Sequence, residues 1–489
     1  MSTNHFIALF LIFASTGVGM LLCTTSYRMR DLAFFAMVAG VILTTRYDVN
    51  FLSLQWYRGT TRGVEVTAAD ILAMSVLAGC LLNPRYKDLP RIFVPAGWFL
   101  LMVYAAYCVF SFATSEPKIF GFFEFTKVLR GIVFFVVTAL FVRTRHEITL
   151  LIAGLVVTVW VNGFMALKQR YMEGMHRVEG MVDDPNSLSM FTCMVAPIFI
   201  AAAMSDIPRW LKPFCWISCA IAGLTVLLTI SRAGVPIFAM VMFGVTLFTI
   251  SWKITFKKVF VCGLVAMVSV VAVFKAWDML MTRYEQATFE EEYMKKNNEG
   301  RGVYFRWAGA IMEDHFYGVG FNNWSWWVSA IYGPRAGFPY RRYEDDSIPE
   351  YEFDNQSALF AAPAHNLMAL TAGELGVPGL IIFGLVWMRW FWMGALFLFR
   401  RATDPMIRIG IGIFFCTSGV FLQSVTEWTF RQTPIFITFH ILVGTLASLH
   451  FHRKRAARLK RDQEDEDEAY EPRVIELEPG TPAMARQWR

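Results

Sequence analysis

The chain has 489 residues, of which 56% are hydrophobic and 17% charged, with a mean hydropathy of +0.44. A soluble domain is nearer 45–50% apolar and about 25% charged, so this balance excludes an ordinary soluble enzyme and indicates a chain that crosses a membrane many times. The formal net charge of +6 does not point to nucleic acid, because the basic residues sit in short loops between apolar runs.

The first apolar run, 7–23, lacks a basic n-region and an Ala-x-Ala-like cleavage site, so it reads as an uncleaved span. A crossing needs about 20 apolar residues. By that criterion the candidates fall near 6–24, 31–45, 67–83, 92–113, 128–142, 147–167, 187–205, 212–230, 233–251, 256–276, 366–399, 407–426 and 434–451. The 31–45 run is short enough to be interfacial. The 366–399 run is too long for one straight crossing, and Gly376, Pro378 and Gly379 should break it. The expectation is an all-α polytopic integral membrane protein with about 12–13 transmembrane helices. It divides into N-terminal spans over 1–276, one large polar block over 277–364, C-terminal spans over 365–451 and a disordered tail over 452–489. That tail is basic, then acidic from Asp462 to Glu468.

Lys and Arg cluster at every second connection: Arg28/Arg30, Arg85/Lys87/Arg91, Arg143/Arg145, Arg209/Lys212, Lys253/Lys257/Lys258 and Arg400/Arg401/Arg408. Such clusters stay cytoplasmic, which puts the tail inside and the polar block on the extracytoplasmic side. The other outer loops are then 46–67, 115–127, 170–187, the turn at Ser231-Arg232, and 427–434. No nucleotide-binding motif is recognisable on the cytoplasmic side, so a substrate activated beforehand would suit this chain better than ATP.

All eight cysteines lie in or beside apolar segments and read as small core residues, with no disulfide framework and no structural zinc expected. No fixed-period repeat and no inverted pair of broken spans of the transporter kind is visible.

Four clusters on the outer side carry candidate chemistry. Arg232, in the tight turn Thr229-Ile230-Ser231-Arg232-Ala233-Gly234, is either an interfacial arginine or a phosphate ligand, since guanidinium grips phosphate oxygens bidentately. Arg301 and Arg306, in Gly300-Arg301-Gly302-Val303-Tyr304-Phe305-Arg306-Trp307, either serve one anion together or are solvated on a surface helix. The Tyr and Trp residues around them either pack or stack on sugars. His365, in Ala364-His365-Asn366-Leu367, is a candidate general base at a helix start. Glu374 sits in an apolar run and needs a partner there; it either orients a group or pairs with a buried arginine, and Arg389 is either such a partner or the mark of the span's inner end. Asp183-Asp184-Pro185-Asn186-Ser187 is a strong helix start, and its paired acids are also a candidate cation site. Glu427, Arg431 and Gln432 are a weaker addition in the last outer loop.

Ser231-Arg232-Ala233-Gly234, Arg301 to Trp307 with Gly318-Val319-Gly320, and His365-Asn366 followed by Glu374, Gly376 and Gly379 occur in this order across many spans. Together they resemble the O-antigen ligase and polymerase superfamily over roughly 120–400. Asp184-Pro185-Asn186 and Met29-Arg30-Asp31-Leu32 are similar to the branch of O-glycosylation ligases associated with exosortase systems. The Arg–Trp spacing in the family's loop is shorter than Arg301 to Trp307, so either Arg301 or Arg306 is the equivalent. The first span and the charged tail also depart from the pattern.

The resemblance implies a GT-C-like, metal-independent membrane glycosyltransferase with no cofactor. It moves a glycan from undecaprenyl diphosphate to a hydroxyl of lipid A core, protein or another glycan, in lipopolysaccharide or exopolysaccharide assembly. It also implies His365 as catalytic base, Arg232 with Arg306 or Arg301 on the diphosphate, and Glu374, Asn366, Asp184 and Asn186 in support. A polymerase of the same superfamily breaks the same bond, and a transporter or flippase of lipid-linked sugars is the reading from another class. Membrane lipids are the remaining partners, with no nucleic acid.

Overall fold

The computed structural model describes residues 3–90, 92–249, 281, 300–343, 359–400 and 402–470. The expected span at 256–276, Lys253/Lys257/Lys258, Cys262, Arg91, Arg401 and much of the polar block lie outside the described residues.

The described chain is almost all helical. In order it gives α1 (Thr3–Thr25), α2 (Tyr27–Gly40), α3 (Ala68–Leu82), α4 (Trp98–Thr114), α5 (Lys118–Phe141), α6 (Arg145–Tyr171), α7 (Pro185–Ala203), α8 (Leu211–Thr229) and α9 (Gly234–Thr249). After these come α10 (Gly302–Asp314), α11 (Leu367–Leu398), α12 (Pro405–Ser424) and α13 (Thr433–Tyr470). Seven helices are long and apolar enough to cross a membrane, and three shorter apolar helices accompany them among the described residues. This is an all-α polytopic membrane protein. The loop before α3 adds a small antiparallel hairpin, β1 (Asp48–Phe51) with β2 (Val64–Thr67).

Helix starts follow local capping chemistry. Thr144 and Glu147 form a reciprocal capping box at α6, Asp184 caps α7 with Pro185 in its first turn, and Asn366 caps α11. Burial differs widely between helices: only 6% of the apolar window of α1 is buried, against 94% for both α7 and α13, so α1 leaves most of its side chains exposed while α7 and α13 are enclosed by the bundle. Helices α8, α9 and α12 pack around α7, and α13 packs along α5.

The break in the 366–399 run falls at Gly376, whose φ is 64° and ψ −168°. The loop segment Phe316 to Gly320 pairs with the opened turn: Val319 N–H donates to the Gly373 carbonyl (3.0 Å), Gly320 N–H to that of Glu374 (2.9 Å), and Val377 N–H to that of Phe316 (3.1 Å). A Cβ on Gly318 would sit 2.4 Å from the Glu374 carbonyl oxygen, and one on Gly376 2.1 Å from that of Phe316. The two glycine motifs are therefore one structural device, in which each glycine lets the other backbone approach. The Leu375 carbonyl freed by the break accepts a hydrogen bond from the Tyr107 hydroxyl at 2.8 Å.

The expected disordered tail is corrected in part, because α13 continues from the membrane span through His452 as far as Tyr470. No Gly or Pro interrupts 445–471, and basic residues precede acidic ones at helical spacing, as with Arg458 and Asp462. Charge alone pointed to disorder, yet these residues are good helix formers and extend a helix already nucleated in the bundle.

Candidate functional site

Asp184 accepts from the Ser187 N–H at 2.7 Å, which starts α7 and holds Asn186 in its first turn. Asn186 is the crossing point of the site. Its Nδ2 donates to Glu427 Oε1 at 2.9 Å, while its Oδ1 accepts from Arg177 Nη2 at 3.1 Å and from Ser231 Oγ at 3.3 Å. Arg177 Nε also donates to the Thr229 carbonyl at 3.2 Å. The Ser231-Arg232 turn is thereby tied to the start of α7. Gly234 is required just beyond it, since a Cβ there would lie 1.8 Å from Ser189 Oγ.

Glu427 links this group to the histidine. His365 Nδ1 and Glu427 Oε2 are 2.8 Å apart, and Arg301 Nη2 donates to Glu427 Oε1 at 2.8 Å. Arg301 Nη1 also donates to the Thr426 carbonyl. An ionised carboxylate only accepts, so Nδ1 is the donor to Glu427, and in a neutral imidazole Nε2 is then the lone-pair nitrogen. The His365 side chain is 37% exposed and that of Glu427 only 7%, so the imidazole is reachable and its orienting carboxylate is not. Asn366 fixes the position from the other side: its Oδ1 caps the Ala369 N–H at 2.8 Å, and its Nδ2 donates to the Val425 carbonyl.

The hydrogen-bonded chain thus joins His365, Glu427, Arg301, Asn186, Arg177 and Ser231, with Arg232 half-buried next in the turn. Arg177 and Arg301 thus belong to one hydrogen-bonded group, and guanidinium is a side chain suited to gripping an anionic group. Arg306, five residues beyond Arg301 on α10, is exposed and outside this chain of contacts. Beside His365 opens a cleft of about 330 Å³ whose lining includes Arg301, Tyr304 and Trp307. The ring of Tyr304 lies 5.9 Å from that of His365, and burial pushes its hydroxyl up to about 12, so the phenol remains a donor at neutral pH.

Glu374 pairs with a buried arginine, one of its two expected roles. It pairs with Arg431 rather than Arg389, and both side chains are buried. Arg431 also donates to Thr371 Oγ1 at 3.4 Å and lies over the Phe321 ring at 5.0 Å. Its carbonyl accepts from Lys127 Nζ at 2.9 Å, and Lys127 stands 3.6 Å from Glu124. Two acids and two bases neutralise one another there and anchor the loop that carries Glu427. Charges sunk this deep are retained only when paired.

The two adjacent aspartates have separate partners, since Asp183 pairs with Arg46 at 3.1 Å while Asp184 caps α7. Met29-Arg30-Asp31-Leu32 lies at the opposite end of the bundle. There Arg85 bridges Asp31 (2.8 Å) and Glu147 (3.0 Å), and His146 contacts Asp31 at 2.9 Å. Glu147 begins α6, whereas Gln169 near its far end holds the backbone of Gly180. A helix of 27 residues separates the two clusters by roughly 40 Å.

Sequence reasoning underweighted Glu427 and did not single out Arg177. The available signal was Glu427 and Arg431 at a spacing of four in an outer loop, a pattern too common to stand out alone. No curated protein matches the chain. Residues 217–384, from α8 into α11, match the family model described as O-antigen ligase, a segment that holds Arg232, Arg301, Arg306, His365 and Glu374 but ends before Glu427. That segment is similar to the O-antigen ligase family, within an all-α membrane protein.

Proposed function

We propose that this protein transfers a glycan from undecaprenyl diphosphate to a hydroxyl acceptor, on the periplasmic face of an inner membrane, with its C-terminus in the cytoplasm. The observation that carries the proposal is the His365–Glu427 pair, with Arg301 on the same carboxylate beside an open cleft. In this reaction His365 Nε2 takes the proton of the acceptor hydroxyl. The acceptor oxygen bonds to the anomeric carbon as the bond from that carbon to the diphosphate oxygen breaks. The electron pair leaves with the diphosphate, and the guanidiniums of Arg232 and Arg301 stabilise that charge in place of a metal ion. Glu427 holds the imidazole in its reactive tautomer and stabilises the imidazolium that forms.

The test is surface-glycan profiling of a deletion strain complemented with wild type, His365→Ala or Arg232→Ala. Loss of long-chain surface glycan with full-length polymer accumulating on undecaprenyl diphosphate is the expected result. Accumulation of single repeat units would assign a polymerase instead. Full complementation by both variants would overturn the reaction and bring the transporter reading forward.

A further inference from the structure

His440 lies inside the bundle in the apolar part of α13, and the proposed reaction gives it no part. An ionisable side chain in such a place needs polar company. Gly131 of α5 admits the ring, since a Cβ there would lie 2.9 Å from His440 Cε1. His440 Nδ1 is 2.8 Å from the Phe436 carbonyl, and a carbonyl only accepts, so Nδ1 is the donor. In a neutral imidazole Nε2 is then an acceptor. No hydrogen bond reaches it among the described residues, although the residue is only 6% exposed.

His440 lines a cavity of about 40 Å³ between α4, α5, α11 and α13, together with Tyr104, Glu124 and Arg431. Two of these neighbours also keep bonding capacity. Glu374 and Thr371 take two of the five N–H groups of Arg431, and no other hydrogen bond reaches its guanidinium among the described residues. The Thr60 and Thr61 hydroxyls both donate to Glu124 Oε2, the oxygen nearer Lys127, which leaves Oε1 out of these contacts. An acceptor on α13, donors on the loop before it and a carboxylate oxygen on α5 therefore border one space. Size and charge decide its occupant. A drug-sized ligand or a lipid tail needs roughly 300 Å³ or more. A cation would meet Arg431 and Lys127, an anion Glu124 and Glu374, in a set whose two acids and two bases already balance. Water is neutral, both donates and accepts, and needs about 10–15 Å³ per molecule with two to four polar partners.

We infer that this cavity is an internal water site, in which about two or three water molecules bridge His440 Nε2 to Arg431 and Glu124. Arg431 donates to the bridge, His440 accepts from it, and Glu124 Oε1 takes a further water proton. The bridge clamps α13 and α5 to the loop that carries both Arg431 and Glu427. His440 is thus a positioning residue, acting through water on a loop it does not touch through a direct hydrogen bond.

X-ray hydroxyl-radical footprinting of the full-length protein in lipid nanodiscs tests the site, because radicals formed from a bound water mark the side chains beside it. Trp387, Phe436 and Phe439 line the cavity and should be labelled faster than Phe191 and Phe199, which are also buried but stand in α7. Labelling no faster than these controls overturns the water site, and this comparison needs no variant. His440→Leu removes the acceptor and should bring the labelling down to the control rate, while His440→Gln keeps an acceptor and should restore it. Full labelling in the Leu variant would leave the water to Arg431 and Glu124 and overturn the part given to His440. Amide exchange at 426–432 should quicken in His440→Leu and return to the wild-type rate in His440→Gln. An unchanged rate in the Leu variant overturns the clamp. None of these readouts uses glycan transfer, so they stand whatever the reaction proves to be.

Discussion

The two ends of the bundle have the same ingredients and different fates. At one end His365, Glu427 and Arg301 meet, and at the other His146, Asp31, Glu147 and Arg85 meet. The second cluster commits its groups to structure. Arg85 spans two carboxylates, Glu147 also closes a capping box and accepts from Tyr86 at 2.6 Å, and Arg30 donates to the Cys23 and Asn83 carbonyls at 3.1 and 2.8 Å. The space beside it is about 40 Å³. The first cluster borders about 330 Å³, and His365 Nε2 has no hydrogen-bond partner there among the described residues. An ion pair with a histidine is therefore no mark of a site by itself. The mark is a buried carboxylate that orients a reachable base beside unfilled, unsatisfied space.

Substitution at each end puts this contrast at risk. His365→Ala should cut glycan transfer by about 10²–10⁴-fold, whereas His146→Ala should transfer normally, as read from surface glycan in complemented cells. Equal losses at both ends would erase the distinction. Glu427→Gln should lower the turnover rate by about 10²-fold or more with little change in KM, because an amide can donate to Nδ1 and trap the wrong tautomer. A loss confined to KM would show that Glu427 binds substrate and does not orient the base.

Glu374→Ala tests the anchor beneath the site. It leaves Arg431 buried without its partner and should cost about 3–5 kcal/mol of stability, seen as a fall in the thermal midpoint of detergent-extracted protein. An unchanged midpoint would mean that Glu124 suffices for Arg431. Arg85→Lys, at the far end, should change stability by no more than about 1 kcal/mol and leave transfer intact, because that arginine is partly solvated and its role is structural. Lost transfer with normal stability in that variant would give the second cluster a function after all.

Much of this molecule is legible in its sequence. Length and hydropathy give the membrane helices, because a helix in lipid must satisfy its own backbone and present apolar side chains wherever it meets the bilayer. The caps at Thr144, Asp184 and Asn366 are local chemistry within four residues, and the break at Gly376 is signalled by its Gly-Val-Pro-Gly run. His365 and Asn186 stand out because polar residues at the mouths of spans are few. The tail from His452 misleads for the same local reason, since its charge suggests disorder while its helix is seeded by the span before it.

Tertiary structure alone decides the partners. Glu427 lies 62 residues from His365, 126 from Arg301 and 241 from Asn186, so no periodicity relates them. Arg431 rather than Arg389 neutralises Glu374 because the loop between α12 and α13 folds back over the break in α11, a contact set by helix packing. Arg301 and Arg306 look interchangeable in the sequence, yet about 140° of helical rotation separates positions five apart, and only Arg301 joins the histidine's carboxylate. Patterns within one helix are written in the sequence because the interactions that make them are local. The candidate site joins the ends of α7, α8, α10, α11 and α12, and its hydrogen-bonded group exists only once those ends are brought to one place.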